Sequence, residues 1–411
     1  MMKDTMGIEI AWMNRRGETA TFVILKALVC MMTLMGVVAL TACSTTKVIG
    51  LSELSPSDVI EIGATPHTLL VASSRAKSDD PREYFSGDRS HILHLNKIEV
   101  SVPPVHEVGS IKRSGNSRVD PMRHIAVGKP LEYEDRARFI DAVNEELDKR
   151  SADNRDVLLF IHGYNTSFSA AILRVTQFVH DTGFEGVPIL FSWASLGKTL
   201  DYAYDVNSAL HARPLFTDFA VALGEVEANN FDVLAHSMGS FLAIEALNAL
   251  QTQEAVASET RLRRVILASP DIDFDVFRSQ MAVLGEDRER VYVLISKDDD
   301  ALSLSQWLAG GVPRLGSTDP EKIASLGVNV LDLSRLEDGM SINHSKFASS
   351  PEAVEFFGHG MDIDTNLSAI DAEFEVRRFA RHLLHAIQIV PSLSEEIGDS
   401  MIITFAGNAP Q

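Results

Sequence analysis

Eight short apolar runs recur along the chain, separated by stretches of helical periodicity, and this alternation leaves few folds open. Leu69 to Ala72, Ile98 to Val102, Val157 to Ile161, Pro188 to Phe191, Phe231 to Leu234, Val265 to Ala268, Val291 to Ile295 and Val328 to Leu331 are short, β-branched and bounded by turn formers, which predicts strands. Several are apolar throughout instead of alternating, as parallel strands covered on both faces must be. Tyr133 to Leu147, Ser167 to His180, Phe216 to Ala228, Met238 to Leu250, Asp300 to Leu308 and Phe374 to Ile387 carry the spacing of helices. Strand and helix in alternation predict an α/β fold, a mostly parallel central sheet with helices on both faces. No internal repeat or low-complexity linker interrupts residues 69–390, so they read as one domain, with residues 69–130 extending the sheet on its N-terminal side. Residues 43–68, rich in Ser and Thr, read as a flexible tether, and residues 391–411 as a C-terminal tail.

The N-terminus has a separate logic. Arg15, Arg16 and Lys26 precede an uncharged stretch, residues 27–46, whose apolar part runs from Ala27 to Leu40. A basic segment followed by an apolar one is the pattern of a secretory signal. It ends in Leu40-Thr41-Ala42-Cys43, which resembles the bacterial lipoprotein box. That resemblance implies removal of residues 1–42 as a lipoprotein signal peptide, lipidation of Cys43, and a membrane anchor. Ser44 after the cysteine implies the outer membrane, facing the periplasm. An uncleaved anchor is the alternative, since twenty uncharged residues can span a bilayer. Either Met1 or Met13 serves as the start. The chain has two cysteines, Cys30 and Cys43, which excludes a four-cysteine zinc site. Its 57 acidic against 37 basic residues give a net charge of −20, which excludes a general affinity for nucleic acid.

The chemistry is concentrated at strand ends. Phe231 to Leu234 runs into Ala235-His236-Ser237-Met238-Gly239 and then an apolar helix. This resembles the nucleophile elbow of α/β-hydrolases, a tight turn that lifts a serine Oγ out of the sheet. The residues two before and two after the serine must be small, and Ala235 and Gly239 are, although glycine is usual at both. Upstream, Val157 to Ile161 runs into His162-Gly163-Tyr164-Asn165, which resembles the loop that supplies an oxyanion-hole amide. The backbone N–H groups of Tyr164 and Met238 are then the expected oxyanion donors; each such donor is worth roughly 3 kcal/mol in a transition state. His162 reads as structural, and His236 as a poor base, because adjacent side chains in a tight turn diverge.

An acid and a base should follow in the order Ser, Asp or Glu, His. Val291 to Ile295 leads into Asp298, Asp299 and Asp300, at the end of a strand where open α/β sheets keep functional groups. Asp299 is the preferred acid; its neighbours can cap the next helix, and Asp271, at the end of the preceding strand, is the runner-up. His344, in a polar loop after Val328 to Leu331, is the expected base. Both Ser237 and His344 are expected at a solvent-open cleft. No HExxH, CxxC or GxxxxGK[ST] pattern is present, so neither a metal nor a cofactor is expected.

These residues together resemble a family of bacterial α/β-hydrolases of unknown function within the esterase/lipase superfamily. The resemblance covers roughly residues 69–357. It rests on Ser74-Arg75, Arg89-Ser90, Val100 to Glu107, Phe160 to Asn165, Phe191 to Ser195, Tyr204-Asp205, Ala235 to Gly239, Ser269 to Asp273, the Asp-x-Ala-Leu of residues 299–302, and Asn343 to Ser345. Asp-x-Ala-Leu falls on Asp299, which favours it as the acid. The resemblance implies a serine hydrolase, with carboxylic esters as the default substrates, small or lipid. A second reading is a lipid-anchored binding or scaffold protein that keeps the fold without turnover. Trp193, Tyr202 and Tyr204 can line a substrate pocket or pack in the core.

Overall fold

The computed structural model describes residues 56–80, 83–114, 119–198, 201–252, 261–338, 342–358, 387–391 and 401–405. All fall in one compact unit, Thr46–Gln411. In chain order the strands are β1 (Thr65–Lys77), β2 (Phe85–Val102), β3 (Ala126–Val127), β4 (Leu131–Tyr133), β5 (Val157–Ile161), β6 (Val187–Ser192), β7 (Phe231–His236), β8 (Leu262–Ala268), β9 (Val291–Ile295), β10 (Asn329–Asp332), β11 (Ile387–Pro391) and β12 (Met401–Phe405). The helices are α1 (Pro56–Glu61), α2 (Arg136–Leu147), α3 (Phe168–Asp181), α4 (Tyr202–Ala222), α5 (Met238–Thr252), α6 (Phe274–Leu284), α7 (Asp300–Leu308), α8 (Pro320–Ala324), α9 (Lys346–Ser349) and α10 (Pro351–Gly358). None of the described helices is long and apolar enough to cross a membrane. The signal segment and Cys43 lie outside the described residues.

The sheet order is β11-β12-β10-β9-β8-β7-β5-β6-β1-β2-β3, with β4 on β2. The run from β12 to β1 is parallel throughout. Only the margins are antiparallel: β11 with β12 on one side, and β1 with β2 and β2 with β3 and β4 on the other. Residues alternate between the faces. Leu159, Ile161, Leu267 and Val293 join a core under α4, α5 and α6. Leu158, Phe160, Ile266 and Leu294 join a second core under α3 and α10. Burial on both faces is what made these strands continuous apolar runs.

The sheet places the site. From β5 the chain steps outward to β6, then returns to β7 on the other side and continues outward to β8 and β9. The connections thus reverse direction at β5 and β7, and an open α/β sheet offers its crevice at the carboxyl ends of strands flanking such a reversal. Ser237 follows β7 and His162 follows β5.

Several expectations are corrected. The 69–130 extension is present, but as a long ribbon in which β1 starts at Thr65 and β2 at Phe85. The tether therefore ends earlier than residue 68, and α1 forms within it. Met401–Phe405 pairs with β10, so residues 391–411 are not merely a tail, and β10 is not the final strand. The helix expected over 216–228 is α4, which starts at Tyr202 and ends at Ala222 with Pro214 inside. Proline removes one helical hydrogen bond and suggests a break. Here the stripe of Asp205, Ser208, Ala209, Ala212, Phe216 and Phe219 is buried as one face, and tertiary burial outweighs the lost bond. The helix expected over 374–387 falls almost wholly outside the described residues, and Ile387 opens β11.

Candidate active site

β7 turns into α5 within one residue, Ser237, whose φ is +54°. A residue with a Cβ rarely adopts this conformation, so its neighbours must hold it there. Ser237 N–H donates to the Ala268 carbonyl at 2.9 Å, and the Ser237 carbonyl accepts from Ser240 N–H at 3.0 Å. Gly239 has no room for a side chain: a Cβ there would lie 2.4 Å from the His162 carbonyl oxygen and 2.8 Å from that of Ile161. Two residues before the serine the constraint is looser. The Ala235 methyl is accommodated in the core, and its carbonyl accepts from Ser240 Oγ at 2.9 Å.

The loop after β5 lies directly on this elbow. A Cβ on Gly163 would stand 2.7 Å from Ser237 Cβ and 3.0 Å from His236 Nδ1, so glycine lets the backbone leading to Tyr164 close in. His162 serves the scaffold. Its ring stacks on Trp193 with centroids 5.1 Å apart, Nδ1–H donates to the Gly163 carbonyl at 2.9 Å, and Nε2 accepts from Arg75 Nη2 at 3.2 Å. Burial and the Arg75 charge push its pKa down to about 3, so it is neutral at pH 7. Trp193 is fully buried and donates Nε1–H to the His162 carbonyl at 2.7 Å, a core role. Tyr202 and Tyr204 are also engaged, Tyr202 OH with Arg314 Nη2 at 3.2 Å and the Tyr204 ring 4.3 Å from the Arg89 guanidinium.

Of the candidate carboxylates, Asp299 meets the histidine. Its Oδ2 accepts from His344 Nδ1 at 2.7 Å, while Oδ1 accepts from Leu302 N–H at 2.9 Å and so caps α7. Asp298 is turned aside, both of its oxygens accepting from Lys346 Nζ at 2.8 Å. Asp271 is occupied by Ser305 Oγ and by Arg314 Nε, the latter at 3.2 Å. His344 is set by the loop before it. Asn343 has φ +56° and donates from Nδ2 to the Asp298 carbonyl at 3.2 Å, and Asp300 N–H donates to the Ile342 carbonyl at 3.2 Å.

His236 joins the two halves of the site. Its Nε2–H donates to the His344 carbonyl at 3.0 Å, and the two rings lie 4.7 Å apart. Burial, with the nearby His344, pushes the His236 pKa well below the usual range, so it stays a neutral donor. The expected open cleft is corrected. Ser237 is 2% exposed and the His344 side chain 12%, because the 162–166 loop and the His344 loop both close over the elbow.

Two residues that sequence reasoning left without a role hold this loop. Arg75, fully buried on β1, donates to Ser192 Oγ (2.8 Å), the Ser195 carbonyl (2.8 Å) and the Thr166 carbonyl (2.7 Å). Burial lowers its pKa to about 10, which leaves it charged at pH 7. Asp205 on α4 accepts from Ser195 Oγ (2.5 Å), Leu196 N–H (3.0 Å) and Asn165 N–H (3.1 Å). Burial pushes its carboxyl up, and these donors and Arg75 oppose the rise. Their sequence signal was an arginine inside an apolar strand and an aspartate at the start of a helix.

Among the described residues, the side chains grouped closely enough to hold a metal ion are His106, His180 and Asp181, none of which belongs to the elbow.

No curated protein matches the chain significantly. Among solved structures, similarity is found to a hyperthermophilic esterase from the archaeon Pyrobaculum calidifontis, at 10% identity over 74% of this chain and 88% of that one, with a TM-score of 0.33. EstE1, a thermostable carboxylesterase cloned from a metagenomic library, matches at 10% identity over 65% and 84%, with a TM-score of 0.29. A putative hydrolase from Agrobacterium vitis S4 matches at 13% identity over 72% and 97%, also with a TM-score of 0.29. The model of the family described as "Alpha/beta hydrolase of unknown function (DUF900)" matches residues 136–359, more than half of the chain, a span that runs from α2 to α10 and holds β5 to β10. With the parallel sheet and its strand-to-helix elbow, that match makes this chain a member of the DUF900 α/β-hydrolases.

Proposed function

We propose that the protein is a serine hydrolase of carboxylic esters, working through a Ser237–Asp299–His344 triad. The observation that carries this reading is the Asp299 Oδ2–His344 Nδ1 contact of 2.7 Å in a loop that His236, the neighbour of Ser237, fastens to the elbow. With Nδ1–H donated to Asp299, His344 keeps its lone pair on Nε2, the tautomer a general base needs. Ser237 Oγ attacks the ester carbonyl while His344 Nε2 takes its proton. The oxyanion is received by the N–H groups of Tyr164 and Met238, and His344 returns the proton to the departing alcohol. Water then attacks the acyl-enzyme with His344 again as base. Asp299 stabilises the imidazolium formed in each half-reaction. A membrane address is part of the same proposal: Cys43 carries the lipid, and the hydrolase domain stands on the periplasmic face of the outer membrane.

The test is a fluorophosphonate probe, which phosphonylates a serine only where a base activates it. The expected result is labelling at Ser237, lost in Ser237→Ala and in His344→Ala, with all three proteins melting alike. Wild-type protein that hydrolyses p-nitrophenyl acetate yet is not labelled, or labelling that persists in Ser237→Ala, overturns the mechanism.

A further inference from the structure

A second cluster of chemistry-bearing side chains lies outside the triad, assembled from three parts of the chain. His106 sits in the loop after β2, His180 and Asp181 form the last turn of α3, and His67 is on β1. One donor atom each from His106, His180 and Asp181 falls within 4.8 Å of the others. His106 Nε2 is 2.5 Å from Asp181 Oδ1, and the His106 and His180 rings meet edge to face at 5.2 Å. The Asp181 side chain is fully buried and that of His106 nearly so, at 9%.

The surroundings are those of a built site. The other carboxylate oxygen, Asp181 Oδ2, accepts from Gly109 N–H at 2.7 Å and from Gln177 Nε2 at 2.6 Å, which fixes the direction of Oδ1. His180 Nδ1 and His67 Nε2 are 3.1 Å apart. When His180 Nδ1–H donates to His67, the lone pair of His180 is left on Nε2. Such outer hydrogen bonds to carboxylate and imidazole are what orient metal ligands. Two imidazoles and one carboxylate are a borderline set that suits zinc, whereas magnesium and calcium select all-oxygen cages. Donors on a tetrahedral zinc ion stand about 3.3 Å apart for bonds of about 2.0–2.1 Å. The 2.5 Å contact between His106 and Asp181 and the 4.8 Å limit on the other separations bracket that spacing, and metal entry at His106 Nε2 takes the place of the proton held there.

We propose that His106, His180 and Asp181 bind a zinc ion, with His67 orienting His180 and Gln177 and Gly109 orienting Asp181. The fourth position is left to water. The ion ties the 103–109 loop to the end of α3. Gln177 Nε2 also donates to the Ala348 carbonyl at 2.7 Å, so the tie reaches α9, two residues after His344. That last consequence rests on the triad reading; the zinc site does not.

The experiment uses the full chain stripped of metal with a chelator and titrated with zinc chloride by calorimetry, together with a zinc-edge anomalous map of wild-type crystals. One zinc per chain is expected, with the anomalous peak between His106, His180 and Asp181. His106→Ala and His180→Ala should abolish binding, and His67→Phe should weaken it by about 10–100-fold. His211→Ala, which removes one member of the exposed His91–His211 pair, should bind as wild type. A peak elsewhere, no peak, or unchanged stoichiometry in a folded His106→Ala overturns the proposal. Should that variant fail to fold, the wild-type map decides alone.

Discussion

Asp299 has two duties that its two oxygens divide: Oδ1 caps α7 and Oδ2 faces His344. Asn in its place keeps an acceptor for the cap and, under the proposed mechanism, loses the charge that stabilises an imidazolium. Asp299→Asn should therefore fold normally and lose about 10⁴-fold in turnover of an activated ester, the size of effect seen when a triad acid becomes an amide. Asp271→Asn should do the reverse. It leaves Arg314 buried without its counter-charge, so it should cost about 3–5 kcal/mol of stability with little loss of turnover per folded molecule. Melting curves and ester assays on both variants separate the two cases, and a reversed pattern would move the acid to Asp271. Three consecutive aspartates and a fourth at the end of the preceding strand could not be ranked by residue type alone. What separates them is backbone direction: Asp299 is the extended cap residue, with φ −78° and ψ 108°, and turns toward His344 while Asp298 turns toward Lys346. His236 reaches across to the His344 loop. Its positioning bond to a backbone carbonyl 108 residues away had no local signature.

Elements were legible where burial is symmetric and obscure where it is not. β5 and β9, covered on both faces, were bounded to the residue by apolarity alone. β2 was foreshortened because its outer half carries His91, His94, Asn96 and Lys97, tolerable in an antiparallel ribbon at the margin of a sheet and uninformative as a pattern. α4 was misplaced because a proline weighs heavily in a sequence and lightly in a helix whose whole stripe is buried. The junction of β7 and α5 was read correctly because its demand is steric and local. Gly239→Ala tests that demand. The added methyl meets the His162 carbonyl at 2.4 Å, and neither backbone can yield without moving Ser237. The variant should lose about 1–3 kcal/mol, a typical overpacking cost, and should also lose fluorophosphonate labelling while still folding. Wild-type labelling in a stably folded Gly239→Ala would mean that the elbow is far more pliable than its contacts imply.

Across the whole molecule, neutral histidines make the fold sensitive to acid. His162 titrates near its usual 6.5 when unfolded and only at about 3 in the native state, so between those values the unfolded chain binds the extra proton. Stability is then fully present above about pH 6.5 and is lost as the pH falls. From pH 7 to pH 5 the loss from His162 is about 2 kcal/mol, and buried His236 adds a loss of the same sign. Urea midpoints measured at those two pH values should fall accordingly; equal midpoints would mean that His162 is charged in the folded protein. The overall α/β layout was legible because it follows from many short-range patterns repeated along the chain. The seating of Met401–Phe405 beside β10 was not, since a five-residue strand with no neighbour in sequence to pair with in parallel carries only its own apolarity. That seating has a consequence for biogenesis. β10 is synthesised well before β12, and until β12 docks its outer edge is an open row of amides and carbonyls flanking buried Val330 and Leu331. A nascent chain waiting in that state is a template for another nascent chain, so the yield of this protein is governed less by how firmly the finished sheet holds than by how long its edge stays bare.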